Sequence, residues 1–498
     1  MINQYLPHQA SLVLESDLAG EFPLYLYWPS SQSMLLYSAS ITELLSDVRV
    51  SKPLKVSVHG LSFLLQSGVV PPPKTAYQDI YIVGIGDEAQ VGTKNDKVQV
   101  TFSHQFPFMN ANRLASDEMQ PDEVVILQML AEATQSRIDE SKPSYLFHSA
   151  GKDSNSIALA LAEAGWQHTV TLLTHKSKGK ADESEISAKI AKQLGFKHQI
   201  LYEVDQLQIE HHQAIEDYFI HAPFPCTDNV TLAYPLYVQQ LPELRGANII
   251  DGGGNDSYMA TPPTRREAHN VLLSKVMHRA SFLRQFTPSE SSFLPLIRTS
   301  AECFGINGLS FMDAEKVLPD AINVYPHWKQ ESHLRKDWDL FDFKTDVYST
   351  RTIAEVHIRK ARNFSDSISS NFVLPFANQH VAEYFSKVPE EYLFDRKALH
   401  NKIILRRMLK NRLALDSDKL GKMGFSYDSH SMILQNWVGI LNELQACPLW
   451  EQTYLMKMIM RLKKTMQTHH KYAEFSGRLI YRMYLLSAWY NKNRYLNA

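Results

Sequence analysis

Two short runs of this 498-residue chain carry residues suited to holding phosphate and metal. The first, Ser149-Ala150-Gly151-Lys152-Asp153-Ser154, lies within "FHSAGKDSNSIALALAEAG". Gly151 lets the backbone turn tightly, Ser149 and Ser154 supply hydroxyl donors, and the N–H groups of a following helix turn favour an anion. Asp153 would repel a phosphate, so its place here makes sense as a Mg²⁺ ligand, that ion being held by one or two carboxylates plus phosphate oxygens. The second run, "IIDGGGNDSYMA" at 249–260, repeats the pattern with Gly252, Gly253, Gly254 and then Asp256 and Ser257. Two glycine loops ending in Asp-Ser would bring Asp153 and Asp256 to one metal. The first is not a Walker A loop: a glycine would be needed where Leu146 stands, and Asp153 fills the Ser/Thr slot. A capped helix after a glycine turn explains "GKDS" alone, but not its recurrence as "GNDS".

The elements that must position these loops alternate. "SYLFH" precedes a helix "NSIALALAEAG", "TVTLLT" precedes "ESEISAKIAKQLG", and "HQILYEV" and "ANIID" follow. Short apolar strands alternating with amphipathic helices predict a doubly wound parallel α/β sheet, whose ligands gather where strands hand over to helices. Upstream, "DEVVILQMLAEATQSRI" has helical periodicity with Asp122 as N-cap. Residues 1–110 read as strand-rich in "EFPLYLYW", "SMLLYSAS", "DIYIVGIG" and "KVQVTFSH", with a short helix in "VSVHGLSFLLQSG". Beyond about 265 the pattern is helical with no further clear strands.

Six blocks in order then resemble the asparagine synthetase-like ATP pyrophosphatase family. Ser149–Ser154 resembles its SGGxDS pyrophosphate loop, "ADESEISAKIAKQLGFKHQIL" its DE-x-x-x-A segment, and "DGGGNDSYMA" its SGxGxDExFxG loop. "VLPFANQHVAEYFSKVPEEYLF" is similar to RxPFLDxxLVExAxxLP, "HNKIILRRML" gives the motif residues Lys402 and Arg406, and "LGKMGFSYD" gives Lys422. The resemblance implies an adenine-nucleotide α-hydrolase type sheet with a helical C-terminal part, ATP and Mg²⁺ as cofactors, and AMP-forming ligase activity. A substrate carboxylate would be adenylated with loss of pyrophosphate, and a nitrogen nucleophile would displace AMP. It also implies pyrophosphate contacts from Ser149–Ser154 and from Gly252–Gly254, Mg²⁺ on Asp153 and Asp256, and charge stabilisation by Lys422.

The N-terminal region resembles the second half of the family's glutaminase domain. Residue 2 is Ile2 rather than the nucleophilic cysteine, and the first cysteine is Cys226. The expectation is a truncated, inactive domain over 1–115, a synthetase domain over 116–430 and a basic helical extension over 431–498. That loss points to the branch resembling β-lactam synthetase, carbapenam synthetase and the lasso-peptide cyclases, where the substrate carries the amine. Gly253 stands where the family carries Glu or Tyr, and the acid after Asp256 has become Ser257, so the general base is open. Glu355 and His357 are candidates by rough placement only. Asp228, in "HAPFPCTDN", either binds a substrate amine or orders the pocket wall. His148 reads as a strand-end histidine and Cys226 as a packing residue.

Bulk properties exclude other classes. A formal net charge of −2 gives no global bias toward nucleic acid or membranes. The three scattered cysteines argue against a disulfide framework or zinc site and for a reducing, cytoplasmic setting. No run approaches the roughly 18 apolar residues of a membrane span. Segment 455–498 holds nine basic residues and one acid. It reads as a solvated helical face or as a contact for an acidic partner. The expected partners are small-molecule, peptide or carrier-bound carboxylate and amine substrates, with assembly as a homo-oligomer.

Overall fold

The computed structural model describes residues 1–178, 182–420, 427–468 and 470–497. Seven strands open the chain: β1 (Asn3–Tyr5), β2 (Leu12–Glu15), β3 (Leu24–Tyr27), β4 (Leu35–Ser38), β5 (Ile80–Val83), β6 (Asp87–Lys94) and β7 (Lys97–His104). They form two antiparallel sheets, ordered β1-β4-β3-β5 and β2-β6-β7. Leu14, Leu26, Leu35, Val83 and Val91 from both sheets share one small core. Asn95 and Asp96 turn the β6–β7 hairpin with φ of 52° and 55°, the left-handed geometry of a tight two-residue turn. The predicted helix runs Val58–Ser67, capped by the Ser57 side chain and stopped by Gly68 at φ 77°. β1, β2 and β6 escape a pattern search because they are short or, in β6, largely polar with only alternate residues buried.

The central sheet is parallel throughout: β8 (Ser144–Phe147), β9 (Val170–Lys176), β10 (Lys197–Tyr202), β11 (Asn248–Ile250) and β12 (Asn371–Val373). Its order, β10-β9-β8-β11-β12, runs outward from β8 and then returns to the other side. Neighbouring β8 and β11 therefore flank the topological switch point, where a doubly wound sheet opens a crevice. Leu146, Leu172, Leu173, Ile249 and Ile250 are fully buried, as strands covered on both faces require. One face packs on a core containing Ile126, Ile157 and Leu161; the other joins a core containing Tyr237 and Phe364. Asp122 caps the helix Glu123–Gln135 as its sequence predicts, its side chain accepting from the Val124 N–H at 2.7 Å.

The expectation of no strand beyond 265 is corrected. β12 extends the parallel sheet, and β13 (Phe394–Asp395) pairs with β14 (His400–Asn401). These are two- and three-residue strands whose pairing comes from the partner strand, not from their own pattern. A continuous helical stretch starts at Leu340–Asp346, widens to a π-helix over Val347–Ile358 and returns to α over Arg359–Ser367. Wide turns of this kind re-aim side chains and concentrate at functional sites.

The C-terminal helices Gln452–Thr468 and His470–Lys492 share the largest core with Tyr77 and Phe224. Much of their positive charge is engaged within the chain. Arg461 pairs with Asp313 at 2.9 Å, Arg478 with Glu474, and Lys492 with Glu216 at 3.3 Å. Arg482 donates to the Asn307 carbonyl at 2.9 Å, and Lys463 lies 3.8 Å over the Trp437 ring. Among the described residues no helix is long and apolar enough to cross a membrane.

Candidate active site

The first glycine loop leaves β8 and enters the helix Lys152–Glu163, with Gly151 at its N-cap. Its backbone is fixed locally. The Gly151 N–H donates to Ser149 Oγ at 3.0 Å, and the Ser149 N–H to Ser154 Oγ at 3.2 Å. Buried Asn155 braces the turn from below, donating to the Ser149 and Gly151 carbonyls at 2.9 and 2.6 Å. His148 sits under the same residue, its Nε2 2.9 Å from Asn155 Oδ1. Burial pushes the imidazole down to about 4, so it is neutral at ordinary pH, with Nε2–H as the donor and a structural role. The Ala150 N–H donates to the carboxylate of Glu183 at 3.0 Å. Burial raises the Glu183 carboxyl above its usual range against the opposing pull of Ala150 and Ser149.

The second loop leaves β11 and ends in a single 3₁₀ turn over Asn255–Ser257. The two loops lie against each other. A Cβ on Gly252 would stand 3.1 Å from both the Asp153 Cβ and the Ser154 nitrogen. Gly254 is required twice over, by a φ of +106° and by a Cβ position 2.8 Å from Ala377. Asn255 bridges the loops, its Nδ2 donating to Asp153 Oδ1 at 2.6 Å.

Lys402 completes the junction from the N-cap of the helix Ile403–Leu413, held in left-handed backbone geometry at φ 58°. Its Nζ stands 2.7 Å from Asp153 Oδ2, 3.0 Å from Asp256 Oδ1 and 2.9 Å from Asn255 Oδ1. Burial disfavours the ammonium, but the two carboxylates outweigh it and hold Lys402 well above the usual lysine range. Asp153 and Asp256, predicted to share a metal, thus converge on one point, and a protonated amine joins them. Their oxygens are the hard donors that Mg²⁺ prefers, and two carboxylates is the number such a site uses when phosphates supply the rest. Among the described residues no group of three or more His, Cys, Asp or Glu side chains could hold a metal without such help.

Two adjoining cavities open here. The first, of about 270 Å³, is walled by both loops, by the β9 end at Thr174 and His175, and by Tyr237. The second, of about 190 Å³, is walled by Ile85 of the N-terminal region, by Ser349, His357 and Ile358 of the π-helix, and by Lys360. Tyr234, Asp251, Gly253 and Asp256 line both. Asp251 is half-buried, with Oδ1 accepting from the Gly253 N–H at 2.8 Å. Burial raises its carboxyl above the usual range, against Gly253 and Lys360.

Asp228 lines neither cavity. It stands behind Lys360, its carboxylate 3.0 Å from that ammonium, while His357 Nδ1 lies 3.4 Å from the same Nζ. Gly253 does face both cavities, and a Cβ there would meet Asp251 Oδ1 at 3.1 Å. The Cys226 thiol is pushed up to about 11 by burial and Asp228, which leaves it inert. Arg406 donates to the Asn401 carbonyl at 2.7 Å. Lys422 and the side chain of Glu355 lie outside the described residues. Sequence reasoning missed Asp251, Tyr234 and Lys360 as wall residues; the available signal was Asp251 itself, an acid where the loop motif begins with Ser.

No curated protein matches the chain. A profile of the asparagine synthase family matches residues 126–491, from the helix before β8 to the end of the last long helix, and the chain belongs to that family.

Proposed function

We propose that this protein is an ATP-dependent, AMP-forming ligase that adenylates a carboxylate and joins it to an amine without hydrolysing glutamine. Family membership supports ATP-dependent amide-bond formation. The observation that carries the finer reading is the convergence of Asp153 and Asp256 on Lys402 at the sheet's switch point, beside two cavities with a common wall.

In the first step an acid oxygen bonds to the α-phosphorus of ATP as the bond to the pyrophosphate oxygen breaks. Ser149, Gly151, Asp153 and Ser154, at the start of the helix Lys152–Glu163, line the cavity that would take the leaving group. The Lys402 ammonium stabilises the negative charge gathering there. Asp153 and Asp256 would hold Mg²⁺, which would supply further neutralisation of that charge. In the second step the amine nitrogen bonds to the acyl carbon, the bond to AMP breaks, and the nitrogen gives up a proton. Lys422 keeps its motif-based role in stabilising both steps.

Glutamine independence is supported by the lack of any cysteine before Cys226 in this sequence, which leaves the N-terminal sheets without a thiol nucleophile. We read those sheets, over 1–115, as a glutaminase-like domain retained for structure and for its contribution of Ile85 to the second cavity. The synthetase domain at 116–430, the basic extension at 431–498, the likeness to the lactam- and lasso-forming branch, assembly as a homo-oligomer and a cytoplasmic setting belong to the same proposal.

The test is a pyrophosphate-release screen of candidate carboxylates with Mg-ATP, with mass spectrometry of the products. AMP with pyrophosphate, both abolished by Asp153→Ala, is the expected result. ADP with phosphate overturns the reading, and a primary amide formed from ammonia replaces the amine-substrate reading with an amidotransferase.

A further inference from the structure

A separate groove of about 530 Å³ lies between the helices Arg265–Met277 and Tyr325–Leu334 and the start of Leu340–Asp346. Its floor is apolar, with Phe343 buried and Trp338 half-buried. Leu272 stands on its wall 65% exposed, and Val276, one turn further along the same helix, is 68% exposed. Lys275, Lys329 and Lys336 line it on three sides, with His278 and His333 beside them, and all five are exposed. No carboxylate belongs to the lining. Among the described residues neither Lys275 nor Lys329 has an acid within ion-pair distance, and Lys336 reaches only the outward-facing Asp337 at 4.0 Å. Arg335, also on the wall, is already neutralised by Asp346 at 2.6 Å and by Glu331 at 2.8 Å.

An apolar floor rimmed by unneutralised cations is the complement of a chain that carries apolar side chains between carboxylates. A compact phosphate would instead need converging buried donors, and these cations are spread around an open rim. Both walls run on in sequence to the active site. The helix Arg265–Met277 follows the second glycine loop, and Leu340–Asp346 continues into the π-helix whose His357 and Ile358 line the second cavity. We infer that this groove docks an acidic peptide segment with apolar side chains, belonging to a peptide or protein-borne substrate or partner. The inference does not rest on the ligase reading, because docking requires no chemistry.

The experiment uses the full chain and a fluorescein-labelled peptide of roughly twelve residues built from Glu and Leu, read by fluorescence anisotropy. Saturable binding is expected, weakened about tenfold by Lys329→Glu with Lys336→Glu. Lys457→Glu with Lys464→Glu, in the basic C-terminal segment, leaves it unchanged. A Lys/Leu peptide gains affinity for the groove variant, which shows that the variant is folded and that charge at the groove decides. The inference is overturned by absent saturation, by equal binding of a Glu-only peptide, by binding that survives the groove variant, or by tighter binding of a single-stranded oligonucleotide.

Discussion

Lys402 Nζ stands 2.7 Å from Asp153 Oδ2, linking residues 249 positions apart in the chain, and the same amine lies 3.0 Å from Asp256. The two glycine loops therefore meet over a buried cation supplied by a third segment. An ammonium held between two carboxylates keeps them together. It also makes each member costly to remove, because breaking a buried pair leaves an uncompensated charge.

Replacing that cation makes the pair's cation affinity visible. In Lys402→Met, Asp153 and Asp256 face each other unneutralised, and the variant is expected to lose about 2–3 kcal/mol of stability. Millimolar MgCl₂ is expected to return part of the loss in urea unfolding, and to do so far less for the wild type. A variant indifferent to Mg²⁺ would show that the two carboxylates do not form a cation site.

The second loop separates two neighbouring glycines by role. Gly254→Ala places a Cβ 2.8 Å from Ala377 at a φ of +106° and is expected to cost about 3 kcal/mol. Gly253→Ala meets only the Asp251 carboxylate closely, at 3.1 Å, with Ile358 and Leu374 at ordinary distances. Its cost should stay below about 1 kcal/mol. Urea midpoints of the two variants, measured together, check the order; equal losses would mean the tight approach to Ala377 does not govern the loop.

A buried cluster joins the N-terminal sheets to the synthetase, and it is pH-sensitive. His104 at the end of β7 lies 2.9 Å from Asp87 and 2.9 Å from Asp346, while Arg351 donates to Asp87 at 3.0 Å and Arg335 to Asp346 at 2.6 Å. Burial and Arg351 oppose the imidazolium, but the two carboxylates prevail and raise the His104 pKa. Asp87 and Asp346 are held below the usual range and stay ionised, so His104 is the member of the cluster whose charge changes as pH rises. A raised histidine stabilises the fold fully below its unfolded pKa of about 6.5 and loses that contribution as pH rises through its folded value. His104→Gln is therefore expected to cost about 1–2 kcal/mol more at pH 5.5 than at pH 8.5. Chemical unfolding at the two pH values decides, and a larger loss at pH 8.5 contradicts the assignment.

Much of the sheet is legible in the sequence because β8 and β9 are apolar runs, each followed by a helix with clear periodicity. The cap at Asp122 and the stop at Gly68 follow from single residues. β12 is not legible in the same way: "NFV" is three residues inside a helical region and becomes a strand only because β11 offers it a partner. The loops carrying Asp153 and Asp256 are visible because glycine and acid recur at a strand end. The bridge at Lys402 is written in no local spacing, since a side chain 249 residues away supplies it. Asp251, Tyr234 and Lys360 share a wall only after the π-helix turns beside them.

Asp251 is the residue most exposed to a decisive test of the ligase reading. It lines both cavities, where an acyl-adenylate and an incoming amine would have to meet. Asp251→Asn keeps an oxygen to accept from the Gly253 N–H, so the loop holds its shape, but it removes a carboxylate able to take the amine's proton. Loss of such a base lowers amide formation by about 100-fold or more. The adenylation half-reaction, followed by exchange of labelled pyrophosphate into ATP, needs no base and should persist within about threefold, since one negative charge beside the phosphates is gone. A parallel fall in both half-reactions would assign Asp251 to holding the loop; a selective fall in amide formation, steepest at low pH in the wild type, assigns it to the proton.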